Sequence, residues 1–187
     1  MTASDKAERF ERLVGPHLDA AHNLAGWLTG DAADAADLVQ DAFLRAFRFF
    51  DQLRGDSIKP WLLTILRNTH YSRLKAARRA PPVTSLDAAE AEVAIVAWAG
   101  ADGEANDPET LLLRMEDRDL IRRAVADLPE EQRTIVVLRE AEGLAYKDLA
   151  EVLDIPLGTV MSRLARARKV LAVRVARIRQ EADREPR

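Results

Sequence analysis

Between Leu157 and Arg179 the sequence carries seven basic side chains, Arg163, Arg166, Arg168, Lys169, Arg174, Arg177 and Arg179, and not one acid. Cations at that density suit the recognition of a polyanion: each phosphate they neutralise releases counterions, and the arginine fork matches both phosphate and guanine geometry. A second run of the same kind, Arg67, Arg73, Lys75, Arg78 and Arg79, also contains no acid. Between the two, from Ala80 to Leu113, the pattern inverts to seven acids and no base. The net charge of −3 averages these blocks away, so partner chemistry is read from the distribution of charge and not from its sum.

Other chemistries have little to work with. The chain has no cysteine, hence no disulfide, thiolate metal site or thiol nucleophile. Its three histidines, His17, His22 and His70, lack the i, i+4 spacing of a metal-binding helix. The acids fall mostly in the central block and not as the clustered carboxylates a metal-dependent nuclease needs. No metal, no cofactor and no catalytic residue is expected, so the chain is read as a binding protein and not an enzyme. Charges precede any apolar run at the N-terminus, unlike a secretory signal. No stretch reaches the roughly 18 apolar residues of a membrane span. The expectation is a cytoplasmic protein without membrane insertion.

These side chains must be positioned by helices. With 48% apolar and 32% charged residues the chain can bury a core under a solvated surface. Phe10, Leu13, Val14, Leu18, Ala21, Leu24, Ala25 and Leu28 recur at helical steps and predict one amphipathic helix ended by Gly30. A second helix is expected from about Ala32 to Phe49, with Leu38, Ala42, Phe43 and Ala46 inward. After the loop Arg54 to Lys59, a third runs from about Pro60 to Arg79 and turns Trp61, Leu62, Ile65, Leu66 and Thr69 inward. Pro81-Pro82 stops it. Residues 81–107 read as a flexible acidic linker, interrupted by the apolar patch Val93 to Trp98. Asp107-Pro108-Glu109 opens a helix burying Leu112, Met115, Leu120 and Val125, and Pro129-Glu130-Glu131 opens the next in the same way, with Ile135, Val136 and Leu138 as its core face. Gly143 ends that helix. No segment alternates like a strand. The fold class is all-α, two small helical domains joined by the linker.

The last domain contains a helix-turn-helix. In the run from Leu144 to Leu164, residues Leu149, Leu153, Ile155, Val160 and Leu164 stand where two helices must pack, and Ala150 is small at their closest approach. Asp154 occupies the turn position usually given to glycine, and aspartate is among the residues that tolerate a left-handed backbone. The second helix then offers Thr159, Ser162, Arg163 and Arg166 to base edges and phosphates, with Arg168 and Lys169 for phosphates. In the front half, the polar loop before a basic helix bearing Arg67, Asn68, Arg73, Lys75, Arg78 and Arg79 can hold an unstacked base over a single strand. Trp61 reads first as a core residue and second as a stacking platform. Asp37, Gln40 and Asp41, beside Leu44 and Arg45, suit either a solvated face or a protein interface.

Taken together, these blocks resemble sigma factors of the extracytoplasmic-function class, in the sigma-70 family of bacterial RNA polymerase. Asp34 to Phe47 is similar to the helix that in the family grips a coiled coil of the polymerase beta-prime subunit. Phe50 to Ser57 and Trp61 to Asn68 resemble the block that melts and reads the minus-10 element, and Leu128 to Arg168 the domain that reads the minus-35 element. The resemblance implies sigma domain 2 at 1–80, the linker at 81–107 threading a basic polymerase channel meant for RNA, sigma domain 4 at 108–180, and a tail at 181–187. It places core-polymerase binding on Asp37, Leu38, Gln40, Asp41, Leu44 and Arg45. Minus-10 binding falls on Arg54, Asp56, Ser57, Trp61, Arg67, Asn68 and Lys75, and minus-35 binding on Thr159, Ser162, Arg163, Arg166, Arg168 and Lys169. Met161 departs from the pattern, standing where many members carry arginine or lysine. The implied partners are the beta-prime and beta subunits of core polymerase, promoter DNA and an anti-sigma factor, with the chain monomeric in the holoenzyme. The competing reading is a dimeric helix-turn-helix regulator, which would need a ligand pocket or phosphoacceptor in its first domain.

Overall fold

The first apolar stripe is broken by Gly15-Pro16, because glycine is a poor helix former and proline removes a backbone donor. In the computed structural model, which describes residues 3–53, 57–78, 119–182 and 184, α1 spans Ala3–Val14, a 3-10 turn covers Gly15–His17, and α2 spans Leu18–Thr29. The single helix expected there is therefore two. Gly30 closes α2 in the left-handed region at φ +75°, donating its N–H to the Gly26 carbonyl at 2.9 Å. Asp31 then caps α3 (Ala32–Phe49), its carboxylate accepting from the Asp34 N–H at 2.9 Å.

Small residues let α3 lie close on α2: Ala35, Leu38, Val39, Ala42 and Ala46 are all buried. On the far side Phe10 of α1 sets its edge against Phe43, Phe47 and Phe50 at ring separations of 6.2, 5.2 and 5.2 Å. Such pairs each contribute about 0.5–1.5 kcal/mol beyond burial. After a 3-10 turn at Phe50–Gln52, α4 spans Ile58–Ala77. Pro60 lies in its first turn, where a missing N–H costs no helical hydrogen bond. Leu62, Leu63, Leu66, Thr69 and His70 are buried, whereas Trp61 and Ile65 are half-buried. Leu63 and His70 were not in the expected stripe, and they are buried because α4 is covered on two sides, by α2 and α3 and again by the second helical unit.

That second unit comprises a helical segment over 119–126 (α5), α6 (Glu130–Val136) continuing into a π turn at Val137–Ala141, α7 (Tyr146–Leu153) and α8 (Leu157–Ala182). Pro129 stands at the N-cap of α6 and not at its first helical position, so the Asp107-type opening is not repeated there. Gly143 takes the left-handed conformation, φ +68°, that ends a helix. Leu149, Leu153, Val160 and Leu164 are buried between α7 and α8, and Ile155 is half-buried. The linker at 81–107 with its 93–98 patch, the cap at 107–109, Leu112, Met115 and residues 54–56 lie outside the described residues. Every regular element among the described residues is helical.

Asp154 has φ 54° and ψ 51°, the αL conformation anticipated for the turn, and it is the one non-glycine residue with positive φ among those described. A β-branched side chain there meets the full steric cost of the left-handed region. Asp154→Val should therefore lower stability by about 1–2 kcal/mol and Asp154→Gly should not lower it, measured by urea unfolding of the two variants beside the parent.

Candidate nucleic-acid interface

The first turns of α8 have a clear inside and outside. Val160, Leu164 and Ala167 are buried against α6 and α7, while Met161, Ser162, Ala165, Arg166, Arg168 and Lys169 are exposed and Thr159 and Arg163 half-exposed. The residues expected to face the minus-35 element thus share one open surface. The cationic run is nevertheless not unpaired. Glu131 lies 3.4 Å from Arg163, Glu140 accepts from Arg168 at 3.0 and 2.5 Å, and Asp127 meets both Arg174 and Arg177 at 3.3 and 3.4 Å. The acids missing between Leu157 and Arg179 are supplied mostly by neighbouring elements, with Glu181 at the end of α8 adding one contact to Arg177 at 3.5 Å, a compensation invisible in a count along the chain. Glu140 pushes the Arg168 guanidinium above its already high range. Exposed pairs of this kind are worth at most about 1 kcal/mol, so a phosphate can exchange for the carboxylate. Among the described residues Arg166 and Lys169 have no ion-pair partner, which leaves them the readiest for DNA.

In the front half the expected core-binding residues divide. Asp37, Gln40, Leu44 and Arg45 are exposed on one side of α3, with Leu44 54% accessible. Leu38 is fully buried: it holds α3 in the core and cannot itself touch polymerase. Asp41 accepts from Arg73 of α4 (Nε at 3.0 Å), while Arg73 also donates to the Asp37 carbonyl at 2.9 Å. This bridge fixes the α3 face to the basic helix. Of the expected minus-10 residues, Ser57, Asn68 and Lys75 are exposed. Trp61 is half-buried with its ring 6.5 Å from Phe50, the core role read first for it. Arg54 and Asp56 lie outside the described residues. Arg67 points elsewhere: its guanidinium is 4.8 Å from the Tyr71 ring centre and donates to the Val152 carbonyl of α7 at 3.5 Å.

Arg67 belongs to a stripe that sequence reasoning missed. Lys59, Leu63, Arg67 and His70 recur at steps of four, four and three on α4, one helical face beside the apolar one, and this face receives the second unit. Its centre is Glu142, whose side chain is only 6% exposed. The Glu142 carboxylate accepts from Lys59 at 2.8 Å and from Asn23 of α2 at 2.5 Å, while Lys59 also donates to the Glu142 carbonyl at 2.7 Å. Arg133 of α6 donates to the Trp27 carbonyl at 3.1 Å. His70 lies 3.6 Å from Glu130. Burial, with Arg73 nearby, lowers the affinity of His70 for a proton although Glu130 opposes the shift. Core residues of both units join in one apolar cluster around these contacts. A mixed basic and apolar stripe signalled this interface, but in the sequence it was indistinguishable from a nucleic-acid face.

Comparison with known proteins agrees with this organisation. Residues 13–80 match the family model described as Sigma-70 region 2, and residues 118–171 match Sigma-70, region 4. The chain is similar to the ECF RNA polymerase sigma-E factor of Escherichia coli (strain K12), 42% identical over 141 residues, which are 75% of this chain and 73% of that protein. It is also similar to the RNA polymerase sigma-H factor of Pseudomonas aeruginosa, 39% identical over 166 residues covering 87% and 83% of the two chains. Among solved structures, the sigma factor RpoE from Bartonella quintana, crystallised with the anti-sigma factor NepR, superposes with a TM-score of 0.61 and 30% identity, over 90% of this chain and 96% of that one.

The polar knot has an asymmetric vulnerability. Removing Lys59 leaves a buried carboxylate without its cation, whereas removing Glu142 leaves a lysine that is 29% exposed and can turn to water. Lys59→Ala should destabilise the packed arrangement by on the order of 3 kcal/mol, and Glu142→Ala by clearly less. Urea unfolding together with hydrodynamic radius from gel filtration checks the order, which reverses if the lysine is merely decorative.

Proposed function

Because the chain belongs to the extracytoplasmic-function class of the sigma-70 family, we propose that it acts as a promoter reader with two separate reading surfaces, one on α4 and one on α8. It is an RNA polymerase sigma factor. In this reading 1–80 forms sigma domain 2, 81–107 the linker and 108–180 sigma domain 4. The observation that carries the minus-35 assignment is the open face of α8, where Thr159, Ser162, Arg163 and Arg166 converge above a helix-turn-helix packed from behind. Arg166 and Lys169 approach phosphate first, and Arg163 and Arg168 follow by exchanging Glu131 and Glu140 for DNA. Ser57, Asn68 and Lys75 stand for the minus-10 side, with captured non-template bases supplying the energy of strand opening. The chain is proposed to perform no covalent step.

Reading both elements requires the two units to part. Elements centred near minus-10 and minus-35 are separated by roughly 85 Å of duplex at about 3.4 Å per base pair, whereas helices in contact, as α4 and α7 are, lie only about 8–10 Å apart. Core polymerase is the body that can hold the units at promoter spacing, gripping the α3 surface of Asp37, Gln40, Leu44 and Arg45, with Asp41 exchanging Arg73 for polymerase. Parting would also release Arg67 from Val152 and return it to the basic face of α4. The likeness to a sigma factor solved with its anti-sigma factor supports a separate anti-sigma partner here, one that keeps these surfaces from polymerase.

The two surfaces should fail separately. Arg166→Ala is expected to reduce promoter-dependent transcription about tenfold with core binding unchanged, and Arg163→Ala to act in the same direction. Asp37→Ala combined with Gln40→Ala should instead weaken capture of core polymerase. Purified transcription and pull-down assays on the same preparations decide the matter: full activity of the arginine variants, or undiminished capture by the α3 variant, contradicts the respective role.

A further inference from the structure

The outward surface of α8 has two unlike edges. At about 100° per residue, Thr159, Arg163 and Arg166 fall on one side of Ser162, and Leu157, Met161 and Ala165 on the other. On the polar side Arg163 meets Glu131, and Ser162 at the divide donates its hydroxyl to the Thr159 carbonyl at 3.1 Å. The apolar edge is open. Leu157 is 50% and Met161 55% exposed, and Ala165 is exposed beside them. Two large apolar side chains at successive turns of a DNA-reading helix forgo burial that a partner could supply.

We propose that the Leu157, Met161 and Ala165 edge reads thymine methyl groups in the major groove, with Met161 setting a preference for T·A at one base pair of the minus-35 element. The inference rests on the assignment of α8 as minus-35 reader and specifies how part of that reading is done. Thymine alone among the bases presents a methyl group in the major groove, and apolar side chains are its recognised complement. From Leu157 to Ala165 the edge extends about 12 Å along the helix axis, close to the roughly 12 Å width of the groove. The unbranched thioether of Met161 adapts to a methyl whose position varies with local groove shape. Charge selects DNA over a protein as occupant: α8 has no acid from Leu157 to Arg179, and Arg166, Arg168 and Lys169 flank the edge as phosphate ligands. Thr159, Arg163 and Arg166 on the other edge can hydrogen-bond to bases, so the helix distinguishes a methyl from a polar group across its own width.

The test changes only the methyl. Holoenzyme assembled from the full chain and core polymerase is used to select its minus-35 sequence from a randomised template pool, and each thymine of the selected element is then replaced singly by deoxyuridine. At one thymine, or two adjacent ones, the replacement should weaken open-complex formation about 3- to 5-fold, the effect of one buried methyl. The Met161→Ala protein should show no difference between thymine and deoxyuridine there, and Met161→Lys should move the preference at that base pair from T toward G. Equal response to thymine and deoxyuridine at every position, a selected element without thymine, or a deoxyuridine penalty that survives Met161→Ala overturns the inference while leaving α8 a minus-35 reader. Indifference of the holoenzyme to all upstream sequence overturns that assignment instead.

Discussion

A carboxylate removed from water must be met by a cation or by donors, and in this fold Glu142 is such a group. It sits where the π turn after α6 ends, and it is met by Lys59 of α4 and Asn23 of α2, both in the other helical unit. The demand of one buried charge thereby ties together residues 119 positions apart. The contacts around it, Arg133 on the Trp27 carbonyl and Arg67 on the Val152 carbonyl, follow the same logic of a long cation serving a backbone acceptor across a seam. Buried ion pairs of this kind seldom add much to stability compared with apolar packing. What they confer is a defined geometry that can be broken, which suits the proposed parting of the two units.

The cationic helix α8 illustrates a related economy. A helical stretch with seven basic residues and no acid, as α8 has from Leu157 to Arg179, would repel itself and bind any polyanion. Glu131, Glu140 and Asp127, on elements packed beside it, neutralise four of the seven in weak exposed pairs. Exchange of a carboxylate for a phosphate, as proposed for DNA binding, would free that charge without rearranging the helix. Arg166 and Lys169 remain as outward cations with no ion-pair partner among the described residues.

Much of the fold was legible because local rules and tertiary structure agreed. The α3 bounds follow from the Asp31 cap and the apolar stripe, and the α7–α8 turn from Asp154 tolerating a left-handed backbone. The break between α1 and α2 was signalled by Gly15-Pro16 and overridden in the reading by the continuity of the apolar stripe. Leu38 was placed both in the core and at the polymerase surface; burial decides for the core. What periodicity could not show was the second face of α4. Lys59, Leu63, Arg67 and His70 have the composition of a nucleic-acid surface, and only the positions of Glu142, Val152 and Glu130, far away in sequence, make them an interface. Partner identity across a long-range contact is not a local property of either strand of chain.

The proposed function requires one molecule to pass from a packed arrangement of α4 and α7 to an extended one in which α4 and α8 occupy elements far apart on DNA. The chain has no native cysteine, so Ser72→Cys and Ala172→Cys, both at exposed sites, can carry a fluorescent donor and acceptor. Energy transfer between them, measured for the free protein and again in the complex with core polymerase and promoter, tests the claim directly. Transfer should be efficient in the free chain and mostly lost on the promoter. Undiminished transfer in a complex that initiates transcription would contradict it.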